Sequence, residues 1–545
     1  MDFCYWQSLT SDLRTPCRSA KMKQHTLSRS LISTLGMNIA ILIVLNLIST
    51  MFFYRLDLSK NRSYTLGKAS KDSVRKLEEN MVIKIYASKD LPSDFLSLNY
   101  YLKDLLTEYK IYGKSRFSFE YIKAQTAEQL QQQAAVNNLG VFRVQSFEND
   151  QISLKEVVFG MTFEYKGKIE RLNFSPSMQS KLEYEITSLI KSMANVNRAE
   201  LFVWRDSTFY SYPTEVFSKN LESNYKVIST DLNTPLSQGG VLLLTGVREV
   251  LSEDQLYNLD QYIMHGGKIV LLQDRTTITP ESIIEIQTNL FSLLNHYGIE
   301  IKPNMVMDYI CDEQRVGISK TIPFPIFPVV RGTDHSIITK NIDNIVLYVA
   351  SELALTKNND NLKFDPILKT SPNSGLVKSP NFAVDPNIFN IHTREQFPLP
   401  AITVGAKIEG RVTSYFANDP VRSANPEFKK SIDDAEFVIF GDRDLSIDQE
   451  NNLFRDRAYI VFNAVDYLLG NESMIKIRSK SLLSSMLNIR RYLESYGLMY
   501  EDIAKTEVQI KTGIKVACVV LPSLFLALLG LFFFSAYQKH KRSVK

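Results

Sequence analysis

The sequence predicts an α/β protein in which two transmembrane helices flank a large extracytoplasmic region with two α/β units. Three observations predict this fold class. The 545-residue chain holds a long uncharged apolar run near each end, and each run has its basic flank on the terminal side. Between the runs, strand-like segments alternate with amphipathic helical ones, as is typical of α/β domains. A chain of this length is expected to form about three or four domains.

The two apolar runs are long enough to cross a bilayer. Residues 30–54 hold 25 residues without a formal charge. As an α-helix they would extend about 37 Å, against roughly 30 Å of hydrocarbon. A cleavable signal peptide is the alternative, but its apolar stretch would be shorter and a small-residue cleavage site would follow. Residues 516–538 hold 23 uncharged residues, including Pro522, which a membrane helix tolerates.

Positive charge is concentrated in the two tails. The net charge is +4, with +3 in residues 1–29 and +4 in residues 539–545, so the middle part carries −3. The positive-inside rule therefore predicts cytoplasmic tails in a bacterial inner membrane, with residues 55–514 on the periplasmic face. The acidic middle part gives no reason to expect nucleic-acid binding. Its single cysteine, Cys311, cannot form an internal disulfide.

The stretch YRLDLSKNRSYTLGKAS, residues 54–70, directly follows the first apolar run. Arg55 is the first charge after that run, and Arg62 and Tyr64 are residue types that suit the membrane–water interface. We interpret these three residues as a membrane junction that connects the anchor to the first extracytoplasmic helix. Such a junction would couple the periplasmic part mechanically to the membrane span.

Residues 55–195 are predicted to form the first α/β unit. Its elements are a strand at 81–88, a helix at 100–113, a strand at 117–124, a helix at 127–140, a hairpin at 157–174 that turns at Lys166-Gly167, and a helix at 181–193. This order is that of a thioredoxin-like unit. Because the redox CxxC is absent, we expect the unit to act as a scaffold.

Residues 196–475 are predicted to form the second α/β domain. Apolar runs typical of buried parallel strands lie at 199–205, 225–232, 239–246 and 268–274. The helix before the last run has capping-box spacing at Ser252 and Gln255 and a terminating Gly266. Further strands are predicted at 344–351, 401–408 and 435–442, with a closing helix at 458–470. An irregular insertion is predicted at about 310–400, and a stalk returning to the membrane at 476–515.

Common catalytic motifs are missing from the sequence: it has no G-x-S-x-G, H-E-x-x-H, G-x-G-x-x-G or Walker A motif. The clearest candidate is GDRDLS, where Asp442 and Asp444 follow an apolar strand. Strand ends in α/β sheets often bind ligands, and a D-x-D pair could hold a divalent cation. We favour the plainer interpretation of a turn whose carboxylates cap a following helix, and interpret Asp274 in the same way.

Several stretches, taken in order, resemble the GldG family of gliding-motility ABC-transporter auxiliary proteins. They are RLDLSKNRSYTLGKASKD (55–72), VIKIYASKDLP (82–92), KLEYEITSLI (181–190), LLLTGVREVLSEDQLYNLDQYIMHGGKIVLLQD (242–274), DHSIITKNID (334–343), FVIFGDRDL (437–445) and FNAVDYLLGNESMIKIRSK (462–480). The likeness extends over nearly the whole chain from Met22. Residues 242–274 also resemble the amidotransferase-like (flavodoxin-like) α/β domain of ciliary transport proteins, without the amidotransferase cysteine nucleophile.

The resemblance implies a non-enzymatic accessory subunit that works with a multi-span ABC permease and a cytoplasmic ABC ATPase. It implies surface gliding as the cellular setting and a substrate-binding role, but no cofactor and no particular binding residues, and it leaves open whether the subunit oligomerises. One alternative is a membrane-anchored metal-dependent hydrolase or glycan-modifying enzyme that uses Asp442 and Asp444. A second is a ligand-sensing ectodomain, for which the tails are too short to fold as an output domain.

Overall fold

The structure is a computed structural model of the chain. It describes residues 65–481, apart from 149–150, 176–177, 180, 195–197, 206–212, 280–281, 317–319, 343, 357–360, 381, 383–392 and 449–452, together with scattered residues of 37–44 and 506–531. It divides into two units, Met1–Thr65 and Leu66–Lys545, and the elements below belong to the second. No helix among the described residues is long and apolar enough to span a membrane. Several predictions concern segments that lie wholly or largely outside the described residues. These are the transmembrane helices, the tails, most of the stalk, and the junction residues Arg55, Arg62 and Tyr64.

Helices and strands alternate through the described region. The helices are α1 (Lys68–Arg75), α2 (Ser93–Gly113), α3 (Ala127–Val136), α4 (Leu182–Met193), α5 (Glu215–Asn224), α6 (Glu253–Met264), α7 (Leu290–Tyr297), α8 (Leu453–Leu468) and α9 (Glu472–Ser481). Short 3-10 helices lie at Lys114–Arg116, Arg394–Gln396 and Arg443–Ser446.

The strands fall into two large sheets and three small pairs. They are β1 (Met81–Ala87), β2 (Phe117–Tyr121), β3 (Val141–Glu148), β4 (Gln151–Tyr165), β5 (Lys168–Asn173), β6 (Glu200–Trp204), β7 (Lys226–Ser229), β8 (Val241–Thr245), β9 (Lys268–Leu272), β10 (Thr276–Ile278), β11 (Ile283–Glu285), β12 (Ile299–Ile301), β13 (Asn304–Asp308), β14 (Cys311–Val316), β15 (Lys320–Gly332), β16 (Ile345–Val346), β17 (Leu353–Leu355), β18 (Leu362–Lys369), β19 (Ser374–Lys378), β20 (Thr403–Thr413) and β21 (Ser431–Phe440). The small pairs are β10-β11, β12-β17 and β13-β19.

The first large sheet has the order β2-β1-β4-β3, and β5 also pairs with β4. Strands β1 and β2 are parallel, whereas β4 is antiparallel to β1 and β5. The predicted hairpin turn is confirmed: Lys166 and Gly167 have φ of 48° and 74°, the positive values that a two-residue type I′ turn requires. The thioredoxin-like assignment stays a prediction.

Helix α2 begins at Ser93, seven residues before the predicted start. The extra turns continue the buried face of the helix, because Phe95 and Leu98 precede Leu102 and Leu105 at helical spacing. The polar residues between them hid this periodicity in the sequence.

The second large sheet combines a parallel half with an antiparallel half. The parallel half has the order β7-β6-β8-β9-β21, and the antiparallel half continues through β20, β18, β15 and β14. The predicted parallel strands are therefore confirmed, with shorter bounds. In chain order the five parallel strands lie 2-1-3-4-5, an order common among doubly wound sheets.

Helices cover both faces of this parallel half. Side chains of β6 alternate, so Leu201 and Val203 share a buried cluster with α5 and α8, while Phe202 and Trp204 share another with α6 and α7. Helix α6 starts with the predicted capping box between Ser252 and Gln255.

The segment predicted as an irregular insertion at about 310–400 contains strands β14 to β19. Strands β14, β15, β16 and β18 extend the second sheet, whereas β17 and β19 belong to the small pairs. Strand β15 contains Pro323, Pro325 and Pro328, and residues without a backbone N–H are unusual inside a strand, which suggested irregular structure. Strand β18 pairs only with Arg331 and Gly332 of β15. Its hydrogen bonds therefore do not require backbone N–H groups from the part of β15 that contains the prolines.

Candidate functional site

The carboxyl ends of the five parallel strands share one edge of the second sheet. Strand β6 lies between β7 and β8, so the chain turns to one side after β6 and to the other side after β7. The strand order therefore reverses between β6 and β8, and such a topological switch point is the place where open α/β sheets usually bind ligands. Two features occupy the edge: a groove beyond β6 and β7, and a buried cluster of charges beyond β9 and β21.

The groove has a volume of about 860 Å³. Its walls come from the ends of β6 and β7, the loop after β7, and the segment from the end of β8 into α6. The lining side chains are apolar, hydroxyl-bearing or charged, and they include Phe202, Trp204, Ile228, Leu236, Ser229, Thr230, Thr234, Ser237, Arg205, Asp231 and Glu249. Volumes of this size are typical of small-molecule sites. Sequence reasoning missed the groove because its residues come from separate loops.

The wall formed by the loop after β7 is held in one conformation. Leu232 is buried with φ of 60°, a left-handed value that is costly for leucine. Helix α6 holds this loop: the Gln255 amide donates to the Asp231 carbonyl at 2.8 Å, and the Asn258 amide donates to the Leu232 carbonyl at 2.8 Å. The Asp231 carboxylate accepts from the Asn233 backbone N–H, and this hydrogen bond lowers the Asp231 pKa. This wall of the groove is therefore fixed, and it carries an ionised carboxylate.

The charged cluster brings together Asp274, Asp442 and Asp444. Asp442 is fully buried; its Oδ1 accepts from the Asp444 N–H at 2.7 Å and its Oδ2 accepts from the Tyr348 N–H at 2.8 Å. The first contact caps the 3-10 helix Arg443–Ser446, as the plainer interpretation of GDRDLS predicted. Burial raises the pKa of Asp442, and the nearby Asp444 carboxylate raises it further.

Three arginines oppose these carboxylates. Arg248 pairs with Asp274 at 3.2 Å, although burial still raises the pKa of Asp274 to about 6. The guanidinium of Arg457 lies 3.7 Å from Asp442 Oδ2 and 4.5 Å from the centre of the Tyr348 ring. It makes no hydrogen bond within the described part of the chain.

The third arginine, Arg443, packs on Gly246. This glycine has φ of 86°, and a Cβ there would lie 2.4 Å from Arg443 Cδ. The three arginines follow no spacing rule in the sequence, so sequence reasoning missed them. They already supply positive charge to the carboxylates, and in the described residues no group of three or more His, Cys, Asp or Glu side chains could hold a metal ion. Metal binding by Asp442 and Asp444 stays a prediction.

Helix α4 joins the first and last described helices of this region. The Glu183 carboxylate accepts from the Gly67 N–H at 2.6 Å and from Ser70 Oγ at 2.7 Å, just before and within α1. Its other oxygen lies 3.4 Å from Lys480 Nζ on α9. At the next residue of α4, the guanidinium of Arg478 on α9 lies 4.8 Å from the centre of the Tyr184 ring. Both ends of the described region are thus held at one buried polar junction.

The chain is similar to several known proteins. The family model described as "ABC-type uncharacterized transport system" matches residues 198–471, just over half of the chain, and a domain of unknown function matches residues 60–164. An uncharacterized protein of Borreliella burgdorferi is 23% identical over 472 residues, which cover 83% of this chain and 89% of that protein. Among solved structures, the mmIFT52 N-terminal domain covers 50% of this chain and 97% of its own, with 15% identity and a TM-score of 0.31.

Proposed function

Because the chain belongs to this ABC-type transport-system auxiliary family, we propose that it is a non-enzymatic accessory subunit of an ABC-type membrane transporter. The family match over residues 198–471 carries the proposal. It extends from β6 through α8 and so includes the whole second sheet, with both the groove and the charged cluster.

We propose that the subunit is a two-pass protein of the bacterial inner membrane, with cytoplasmic tails and a periplasmic middle part. The uncharged runs at 30–54 and 516–538 and the basic tails support this topology. The α4 junction also supports it, because α1 and α9 contact each other and both contact α4. The chain therefore enters and leaves the α/β region at one place, as two neighbouring spans would require.

The partners we propose are a multi-span ABC permease and a cytoplasmic ABC ATPase, in a complex similar to that of the gliding-motility family. The stretches that resemble that family support this assignment, including residues 55–72 and 437–445. We do not propose the hydrolase alternative, because three guanidiniums surround Asp442 and Asp444 and weaken their attraction for a cation.

Co-purification tests the accessory role. The full chain with an affinity tag is expressed in its native cell, extracted in mild detergent after brief cross-linking, and analysed by mass spectrometry. We expect one multi-span permease and one ABC ATPase to co-purify in constant ratio. The control is an unrelated tagged two-span protein of the same membrane. A chain that purifies alone under conditions that preserve a known transporter complex would overturn the proposal.

A reporter enzyme tests the topology. Fused near residue 300, a reporter that is active only in the periplasm should be active, and one that is active only in the cytoplasm should not be. A matched pair fused after residue 545 should give the opposite result. Cytoplasmic activity near residue 300 would refute the proposed topology.

A further inference from the structure

The outer face of helix α2 carries a row of exposed apolar side chains. Leu96, Tyr100 and Ile111 are 37%, 70% and 60% exposed. Tyr100 follows Leu96 by about one helical turn and Ile111 follows Tyr100 by about three turns, so the three side chains share one face. This apolar stripe lies opposite Leu98 and Leu102, which pack in the core of the first sheet. Such a stripe is typical of a surface that contacts a partner or a membrane.

Positive charge lies along one flank of the apolar stripe. Lys103 and Lys110 are exposed and lie about two helical turns apart, so they share that flank. Lys114, directly after the last residue of the helix, is also exposed. On the other flank, Asp104 is exposed. The exposed charges beside the stripe are therefore mainly positive.

This helix contacts the part of the chain that follows the first predicted span. The Leu66 N–H donates to the Glu108 carboxylate of α2 at 3.1 Å, and Lys71 Nζ on α1 lies 4.8 Å from the centre of the Tyr112 ring of α2. Leu66 follows Arg55, the first charge after the predicted span, by eleven residues, and a segment of that length extends at most about 40 Å. The predicted span therefore tethers α2 near the membrane surface.

The chemistry of this face fits a lipid surface. Tyrosine is enriched where a protein meets the headgroup layer, and lysine can bury its aliphatic stem there while its ammonium group stays in water. Anionic headgroups supply the negative charge that the lysine flank attracts, and the boundary with the acyl chains accepts leucine and isoleucine. Helices that lie in the plane of a membrane surface show this division into an apolar face and a basic flank.

We infer that the outer face of α2 lies on the membrane surface, with the apolar stripe in the headgroup layer and Lys103 and Lys110 bound to anionic phospholipid headgroups. The inference goes beyond the accessory role and rests on the proposed two-span topology, because the first span supplies the tether. The reporter enzymes described above test on which side of the membrane the α/β region lies. Lipid contact is measured in discs whose two leaflets have the same composition, so the two proposals can fail separately.

A tryptophan placed in the apolar stripe reports lipid contact directly. The full-length chain is reconstituted in nanodiscs of phosphatidylglycerol and phosphatidylcholine that are brominated near the top of the acyl chains, because bromine quenches tryptophan only at short range. The parent variant is Trp6→Phe, in which the buried Trp204 gives a constant background. Tyr100→Trp and Ile111→Trp are each added to this parent as reporters.

Ile169→Trp is the matched control reporter. Ile169 on β5 has the same exposure as Ile111, 60%. It pairs with Glu164 of β4, whereas the preceding residue Phe163 packs in the same buried cluster as Leu98 of α2. Because neighbouring residues of a strand point to opposite faces, Ile169 points away from the face that α2 covers. A tryptophan at this residue should not contact lipid.

We expect the tryptophans added at residues 100 and 111 to lose emission in brominated discs, and the one at residue 169 to keep it. Lys103→Gln and Lys110→Gln should each weaken the contact about fivefold in anionic discs, measured as the quenched fraction. The charge controls are Lys168→Gln and Arg171→Gln, which remove the same charge from exposed residues of β5 and should leave the quenched fraction unchanged. Thermal melting of each variant verifies that it is folded.

Three results would overturn the inference. The first is equal quenching at residues 100, 111 and 169. The second is the same quenching in anionic discs and in discs of phosphatidylcholine alone. The third is a loss of quenching in Lys103→Gln and Lys110→Gln that is no larger than in the charge controls. Emission from residue 100 that responds to a co-purified permease but not to brominated lipid would assign this face to a protein partner, and would equally refute the lipid contact.

Discussion

Arg478→Met is expected to destabilise the α/β region strongly, because it leaves a buried carboxylate without its charged partner. Arg478 is 0% exposed and Asp466 is 2% exposed. The guanidinium lies 2.8 Å from Asp466 Oδ2 and donates to Asn463 Oδ1 at 2.5 Å. After the substitution, Asp466 keeps hydrogen bonds from the Asn471 amide at 3.1 Å and from the Tyr225 hydroxyl, but no guanidinium partner. Breaking a buried pair on one side costs about 3–5 kcal/mol of unfolding free energy.

Thermal unfolding of the full chain in detergent, followed by circular dichroism, measures this cost. At about 1 °C per kcal/mol for a region as large as residues 65–481, Arg478→Met should lower Tm by about 3–5 °C. The control is Lys476→Met on the same helix, which removes an exposed pair with Glu472 that is worth well under about 1 kcal/mol. The double variant Arg478→Met/Asp466→Leu removes both charges and should recover much of the loss.

Two results would refute this reasoning. If Arg478→Met lowered Tm no more than Lys476→Met, the buried pair would not be the source of stability. If the double variant were less stable than Arg478→Met alone, the cost would come from lost packing of the arginine on its aromatic neighbours rather than from an uncompensated charge.

Three further predictions concern the polar junction and the sheet edge. Glu183→Ala removes a buried charged acceptor and should lower the free energy of unfolding by about 3 kcal/mol, measured as a lower urea midpoint. An unchanged midpoint would show that α1 and α9 are held by other contacts. Gly246→Ala should lower the free energy of unfolding by about 1–3 kcal/mol, because its Cβ would clash with Arg443. The control Gly470→Ala, also at positive φ but in open space, should lower it by about 1 kcal/mol. Equal melting temperatures of the two variants would contradict this prediction. Burial raises the pKa of Asp274 to about 6, above about 3.9 for an unfolded aspartate, so the wild type should lose up to about 3 kcal/mol relative to Asp274→Asn as pH rises from about 4 to about 6. A difference in unfolding free energy that stays flat with pH would disprove this shift.

The parallel half of the second sheet could be predicted because its signals are local. All five residues of β8 are buried, so the strand is a continuous apolar run in the sequence. The capping box of α6 and the Lys166-Gly167 turn are likewise encoded within a few residues. The antiparallel half depends on pairing between distant segments such as β18 and β20, and the prolines of β15 masked its strand character.

The candidate site was predictable only in part, for a related reason. Asp274 and Asp442 both follow parallel strands, and neighbouring parallel strands end at one edge, so their proximity follows from the fold class. The positions of their arginine partners do not follow from the fold class. Arg248 follows β8 and Arg457 lies on α8, and no spacing connects these positions before the chain folds.

The two ends of the sheet edge differ because one of them is already filled. Beyond β21, the Ser351 N–H donates to the Gly441 carbonyl at 2.8 Å, and a Cβ on Gly441 would lie only 2.1 Å from the Ser351 carbonyl oxygen. The segment with Tyr348 and Ser351 thus closes over the carboxyl end of β21 and buries the Asp442 carboxyl group. At the other end of the edge, the ends of β6 and β7 line a groove instead.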